Sequence, residues 1–150
     1  MKKKIGMGIC GKVRLIGSNY DENGVLVQVF DRTVHNLITH DGFDLMCNVL
    51  GLNAQPSDIT HMAISDGAVG DINDSALQAT ENERVAAAFV HVENSLTCTF
   101  TGTFTTVVAA TSYGLFNAAA DGSMFNTAGF AAITVDSLSV VATLTLSDVG

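Results

Sequence analysis

The sequence predicts an all-β protein: an antiparallel two-sheet sandwich or jelly roll with one short α-helix, at about 41–51, and an extended N-terminal arm. Three observations carry that prediction. Leu96-Thr97-Cys98-Thr99-Phe100-Thr101-Gly102-Thr103-Phe104-Thr105 alternates without a break between an apolar row and five threonines. That period of two is the mark of a strand with one dry and one wet face. Several further runs of this kind recur along the chain, separated by Gly, Asn and Asp turn signals. Only one segment, Phe43, Met46, Cys47 and Leu50, repeats at the i, i+3, i+4, i+7 spacing of an amphipathic helix.

Taken in order, residues 1–11 read as an extended arm, with glycines at 6, 8 and 11, and residues 12–150 as a single β-sandwich domain. Lys12 to Ile16 alternates as a first strand. Asn23-Gly24 closes a tight turn before a second strand from Val25 to Phe30, which can run on through Asn36. Asp41 or Thr39 can cap the helix that follows, and Gly51 and Pro56 can end it. Cys47 falls on the expected buried stripe. Ile59 to Ser65 reads as a third strand. The polar stretch Asp66 to Asn82 is longer than most connections, as contact loops often are. Val85 to Val92 and Leu96 to Thr105 then read as one long hairpin about the turn Glu93-Asn94-Ser95. Val107 to Ala118, with a bend at Ser112-Tyr113-Gly114, Met124 to Val135, and Leu138 to Ser147 complete the strands, with Asp121-Gly122 as a strong turn signal.

Composition narrows the functional classes. The 150 residues make one ordinary domain, 47% hydrophobic but only 15% charged. Surface polarity must therefore come from Thr, Ser, Asn, Gly and Ala. Two readings of that surface stand side by side: part of it meets another protein, or a compact domain carries a Thr/Ser-rich exterior. The formal net charge of −8 argues against nucleic-acid binding, which rests on basic residues against phosphate. Four of the seven basic residues, Lys2, Lys3, Lys4 and Lys12, lie in the first twelve positions. The short, glycine-broken Ile5 to Gly11 that follows is neither a signal peptide nor a membrane span. Three scattered cysteines, Cys10, Cys47 and Cys98, form no metal-binding spacing and fit a reducing compartment.

Candidate chemistry is sparse. Asp71-Ile72-Asn73-Asp74 opens like a calcium loop but has Ala76 and Asn82 where Gly and Glu are needed. His35, His40, His61 and His91 share no ligand spacing, and Glu81/Glu83 reads as a solvent-facing edge rather than an acid–base pair. No catalytic residue, cofactor or metal is expected. The residues expected to meet a partner are Lys2, Lys3, Lys4, Ile5, Ile9 and Lys12 in the arm, Asp71, Asp74 and Leu77 in the long loop, and Arg84, with the threonine row as a candidate contact between subunits.

Five segments carry a resemblance. They are Asn36-Leu37-Ile38-Thr39-His40-Asp41-Gly42-Phe43-Asp44-Leu45, Ile59 to Gly67, Asp74-Ser75-Ala76-Leu77 with Glu81-Asn82-Glu83-Arg84-Val85, Tyr113-Gly114-Leu115-Phe116-Asn117-Ala118 leading into Asp121 to Phe125, and Asp136 to Val140. Their order and spacing over about residues 36–147 resemble a family of small structural proteins of tailed bacteriophages. Where that family usually has Glu-Ala-Gly-Leu-Phe, this chain has Ser112-Tyr113-Gly114-Leu115-Phe116, without the charge. The family includes head decoration proteins and tail-fibre and collar proteins. The resemblance implies a non-enzymatic virion protein made in the host cytoplasm. As a capsid decoration or cement protein it would sit on the capsid exterior, with the major capsid protein and copies of itself as partners and no nucleic acid or membrane. A tail-fibre, collar or baseplate module and a carbohydrate-binding adhesin are the alternatives.

Overall fold

The computed structural model describes residues 7–51 and 58–148. The chain forms β1 (Met7–Tyr20), β2 (Leu26–His35), β3 (Leu37–Ile38), α1 (His40–Gly51), β4 (His61–Ser65), β5 (Glu81–Ala86), β6 (Ala88–His91), β7 (Thr97–Phe104), β8 (Val107–Phe116), β9 (Met124–Val135) and β10 (Ser137–Asp148). Two five-stranded sheets result, ordered β2-β1-β10-β7-β6 and β3-β9-β8-β4-β5. Every pairing is antiparallel. The predicted two-sheet sandwich with one helix is therefore what the chain builds.

The alternating patterns decide which faces meet. Val13 and Leu15 of β1, Phe100 and Phe104 of β7, and Leu138, Val140 and Ala142 of β10 turn inward from the first sheet. Met62 and Ile64 of β4, Tyr113 and Leu115 of β8, and Ile133 and Val135 of β9 meet them from the second. Gly102 faces this interior, where an added Cβ would lie 2.5 Å from Met62 Sδ and 2.9 Å from Val85 Cγ2. A glycine there lets the sheets approach closely. Tyr113 is fully buried and its hydroxyl finds no hydrogen-bond partner among the described residues. Burial pushes its phenol well above the usual range, so it stays protonated and acts as core.

Three expectations change. Met7 to Gly11, read as part of a free arm, are the first residues of β1 and pair with β10 from Met7↔Asp148 to Gly11↔Leu144. Gly11 does not break the strand; the Asn36 side chain packs where its Cβ would be. The long hairpin also divides. Val85 ends in β5 of one sheet, and the chain crosses at Ala87 to β6 of the other, where Ala87 N–H donates to the Thr60 carbonyl at 2.8 Å. Only β6 and β7 form the hairpin, and Asn94 takes a left-handed φ of 65° in its turn. β7 lies between β10 and β6, so the threonine row stands on the outer face of an interior strand.

The helix differs in its face. Thr39 is the cap: its hydroxyl oxygen accepts the Gly42 amide at 3.1 Å, while its O–H donates to the Met124 carbonyl. Leu45 and Met46 pack toward the core and Gly42 is buried against β9. Cys47 is exposed, and Leu50 is 86% exposed. The helix docks through its N-terminal turn, which rotates the expected stripe partly out to solvent.

Candidate association surface

The residues singled out in the sequence separate into two groups once folded. One group ties the long loop and β5 to the second sheet. Arg84 on β5 has a side chain only 10% exposed and forms a two-pronged ion pair with Glu81. Its Nη1 donates to the carbonyls of Ala118 and Asp121, each at 2.9 Å. Its guanidinium lies 3.8 Å from the centroid of the buried Phe116 ring. A planar five-donor group suits this geometry; a lysine ammonium could not span it. The Glu-x-x-Arg segment, the Gly-Leu-Phe segment and the Asp121-Gly122 turn thus converge on one clasp.

The loop from 66 to 80 is held in the same way. Asp74 Oδ2 accepts the Asp71 amide and Gln78 Nε2, both at 2.6 Å, and Asp71 Oδ1 accepts the Asn73 amide at 2.7 Å. His40 N–H donates to the Ile72 carbonyl and Met124 N–H to the Ser75 carbonyl. Thr111 Oγ1 donates to the Gly67 carbonyl. Leu77 is buried with Ala63, Phe116 and Met124 in a small second core on the outer face of this sheet. Of the residues expected to meet a partner, Leu77 is buried and the Arg84 side chain nearly so, whereas Asp71 is exposed and Asp74 half-exposed while their carboxylates hold the loop's own amides.

The arm residues fare differently. Lys2, Lys3, Lys4 and Ile5 lie outside the described residues. Ile9 is half-buried against the core. Lys12 is exposed on the outer face of β1, level with Thr143 of β10 and, through it, Thr99 of β7. That face also carries Arg14, whose hydrogen bonds hold the Asp31 carboxyl below the usual carboxylate range. Thr97 and Thr103 are exposed and Thr99 and Thr101 half-buried, so the threonine row is a polar sheet face beside that ion pair.

Among the described residues several titratable side chains go to separate partners. Glu83 accepts the amides of Thr105 and Thr106 at 2.7 and 2.8 Å, whereas Glu81 serves Arg84, so the two carboxylates go to separate partners. His61 Nδ1 sits 2.8 Å from Thr60 Oγ1, and His91 Nδ1 lies 3.0 Å from the Thr97 carbonyl oxygen. Burial pushes the half-buried Cys98 thiol up, away from reactivity. Among the described residues no group of three or more His, Cys, Asp or Glu is placed to hold a metal. No described helix is long and apolar enough to cross a membrane.

The feature that sequence reasoning missed is apolar. Between α1 and the β6–β7 hairpin lies a groove of about 730 Å³ lined chiefly by Met46, Val49, Ile59, Phe89, Phe100 and Phe125, with Asp58 and His61 also on its wall. A second recess of about 420 Å³ shares those six apolar residues and adds Ile9, Leu96 and Leu144. Phe89 is 57% exposed yet stacks on Phe100, with ring centroids 5.0 Å apart. Leu96 is 65% exposed, although it begins the alternating row that β7 buries. The one available signal was the first arm of the supposed hairpin, apolar on both faces where one face sufficed.

No protein-family model, curated protein or solved structure matches the chain.

Proposed function

We propose that the protein is a non-enzymatic virion structural protein: a capsid decoration or cement protein that binds the outer shell and reinforces contacts between major capsid proteins. One observation carries the reading. Arg84 and Asp74 bond within the domain, while a groove of about 730 Å³, lined mostly by apolar side chains with Asp58 and His61 among them, is open to solvent. Exposed apolar patches of that size mark association surfaces. A stiff, self-contained sandwich with an open apolar face suits a part whose work is to hold neighbours in place. The bacteriophage assignment rests on the resemblance in the five segments. The partners are the major capsid protein and further copies of this chain, on the capsid exterior, and the acidic surface makes nucleic acid an unfavourable one.

Residues 1–6 supply three of the lysines and precede β1, where β1 pairs with the last strand. A tail-fibre, collar or baseplate module is the second reading, since the same motifs occur in such proteins of the resembled family. Heating particles with and without the protein tests the first. Shells lacking it are expected to release their genome at a lower temperature, with the difference restored by adding the purified chain back. Equal release temperatures contradict reinforcement.

A further inference from the structure

The first sheet ends in two unpaired strands, β2 and β6, and they are finished differently. On β2 the outer edge carries Asp31 and Arg32, and a register shift at Gly17/Ser18 breaks its pairing with β1. Such charges and irregularities are how sheets blunt an edge against further pairing. On β6, Ala88-Phe89-Val90-His91, there is no Lys, Arg, Asp, Glu or Pro, and its pairing with β7 runs without a shift. All four residues are exposed. Among the described residues no strand pairs with its outer side, so half of its amides and carbonyls face outward, unsatisfied by any strand.

The surroundings of β6 are apolar as well. Val49, Phe89 and Leu96 line one continuous recess beside the edge, and Leu50, Val90 and Val92 adjoin them in the chain. Val49, Phe89 and Leu96 on that recess are 55%, 57% and 65% exposed, and Val90, on the opposite face of the same edge, is 57% exposed, so both faces of β6 are apolar. A chain with net charge −8 repels its own copies over most of its surface. An uncharged edge flanked by apolar side chains is where two copies can meet without that penalty.

We infer that two copies of this chain pair through β6, edge to edge and antiparallel about a twofold axis, joining their first sheets into one ten-stranded sheet and covering the apolar recess of each with the other. A twofold contact is self-complementary: each Phe89–Val90 edge supplies the donors and acceptors that the other lacks. This deepens the self-association in the proposed function by naming the surface. The test uses the isolated protein in solution, so its failure leaves the particle location untouched.

Sedimentation of the full chain over a concentration series is expected to give a species of twice the 15.7 kDa protomer mass. Val90→Lys puts a charge on each side of the paired edge and is expected to weaken the dimer at least tenfold, which is about 1.4 kcal/mol. Val27→Lys on the β2 edge should leave it intact. Far-UV circular dichroism checks that both variants keep the β fold. Amide exchange on the unsubstituted chain gives a second readout: the β6 amides should gain protection as concentration rises. A chain monomeric at 100-fold over the micromolar range, a dimer that Val27→Lys but not Val90→Lys breaks, a closed trimer or larger ring, or β6 exchange independent of concentration would each overturn the inference.

Discussion

Arg84→Ala is expected to lower unfolding stability by about 2–4 kcal/mol, a little under the about 3–5 kcal/mol for removing one partner from a fully buried ion pair because Glu81 is partly exposed. Four contacts go at once: Glu81 loses its partner, the carbonyls of Ala118 and Asp121 lose their donor, and the buried Phe116 ring loses its cover. An exposed pair would cost at most about 1 kcal/mol, so the magnitude decides whether Arg84 is a surface residue or a clasp. For a domain of this size that loss is a melting temperature lower by roughly 5–15 °C. Arg84→Lys keeps the charge but not the fork, and should recover only part of it. Urea unfolding with Glu81→Gln as the second arm of a double-mutant cycle measures the coupling directly. A change within 0.5 kcal/mol for Arg84→Ala, the ordinary range for surface substitutions, would show that the clasp does not hold the loop.

Gly42→Ala is the second large effect, and its sign is the informative part. In an exposed helix, replacing Gly by Ala stabilises by about 1 kcal/mol. Here the new methyl would press on the Phe125 carbonyl oxygen and come within 3.1 Å of Ile38 Cγ2. The nearest obstacle is backbone of β9, which cannot swing aside as a side chain can. The expected result is a net loss of about 1–3 kcal/mol, as overpacking usually costs. Cys47→Ala, on the exposed side of the same helix, should be neutral or slightly stabilising. Because α1 supplies Leu45, Met46 and Val49 to the apolar groove, its displacement should also raise binding of a hydrophobic dye. A Gly42→Ala chain more stable than the parent would mean that α1 is not seated on β9.

Much of the architecture is written locally. The alternation of β7 and β10, the Asn23-Gly24 and Asp121-Gly122 turns, and a single helix are all properties of neighbouring residues, and each appears where the sequence places it. What failed depends on distant ones. Val85 to Val90 is a continuous apolar run, and nothing in it marks the change of sheet at Ala87, whose amide bonds the Thr60 carbonyl 27 positions earlier. The glycines near the N-terminus suggested a loose arm, because the Asn36 side chain that needs the space over Gly11 comes from another strand. The helical spacing of Phe43, Met46, Cys47 and Leu50 gives a stripe but not its direction. The tight seat of Gly42 sets that direction, turning Leu45 and Met46 inward.

The site shows the same division. Spacing alone cannot tell the Glu81–Arg84 pair from an ordinary exposed one, because the carbonyls that bury it lie 34 and 37 residues away. The bonds of Asp71 and Asp74 within the loop were not legible either, because most run to backbone amides, which every sequence has. The apolar groove was hidden for the opposite reason. Its residues look like core in the sequence, and the fold leaves Val49 and Phe89 more than half exposed beside the buried Phe100 and Phe125. Exposure of an apolar residue is a property of the fold rather than of the run it sits in.

The claim that this sandwich reinforces a capsid is met most directly by finding where it sits. Intact particles labelled with an antibody to the folded chain, or imaged after adding the chain with a bulky tag, should carry it in a regular array on the outside of the head. Label confined to the tail would transfer the protein to the fibre or collar reading, and particles free of label under conditions that mark the purified chain would contradict a virion role altogether.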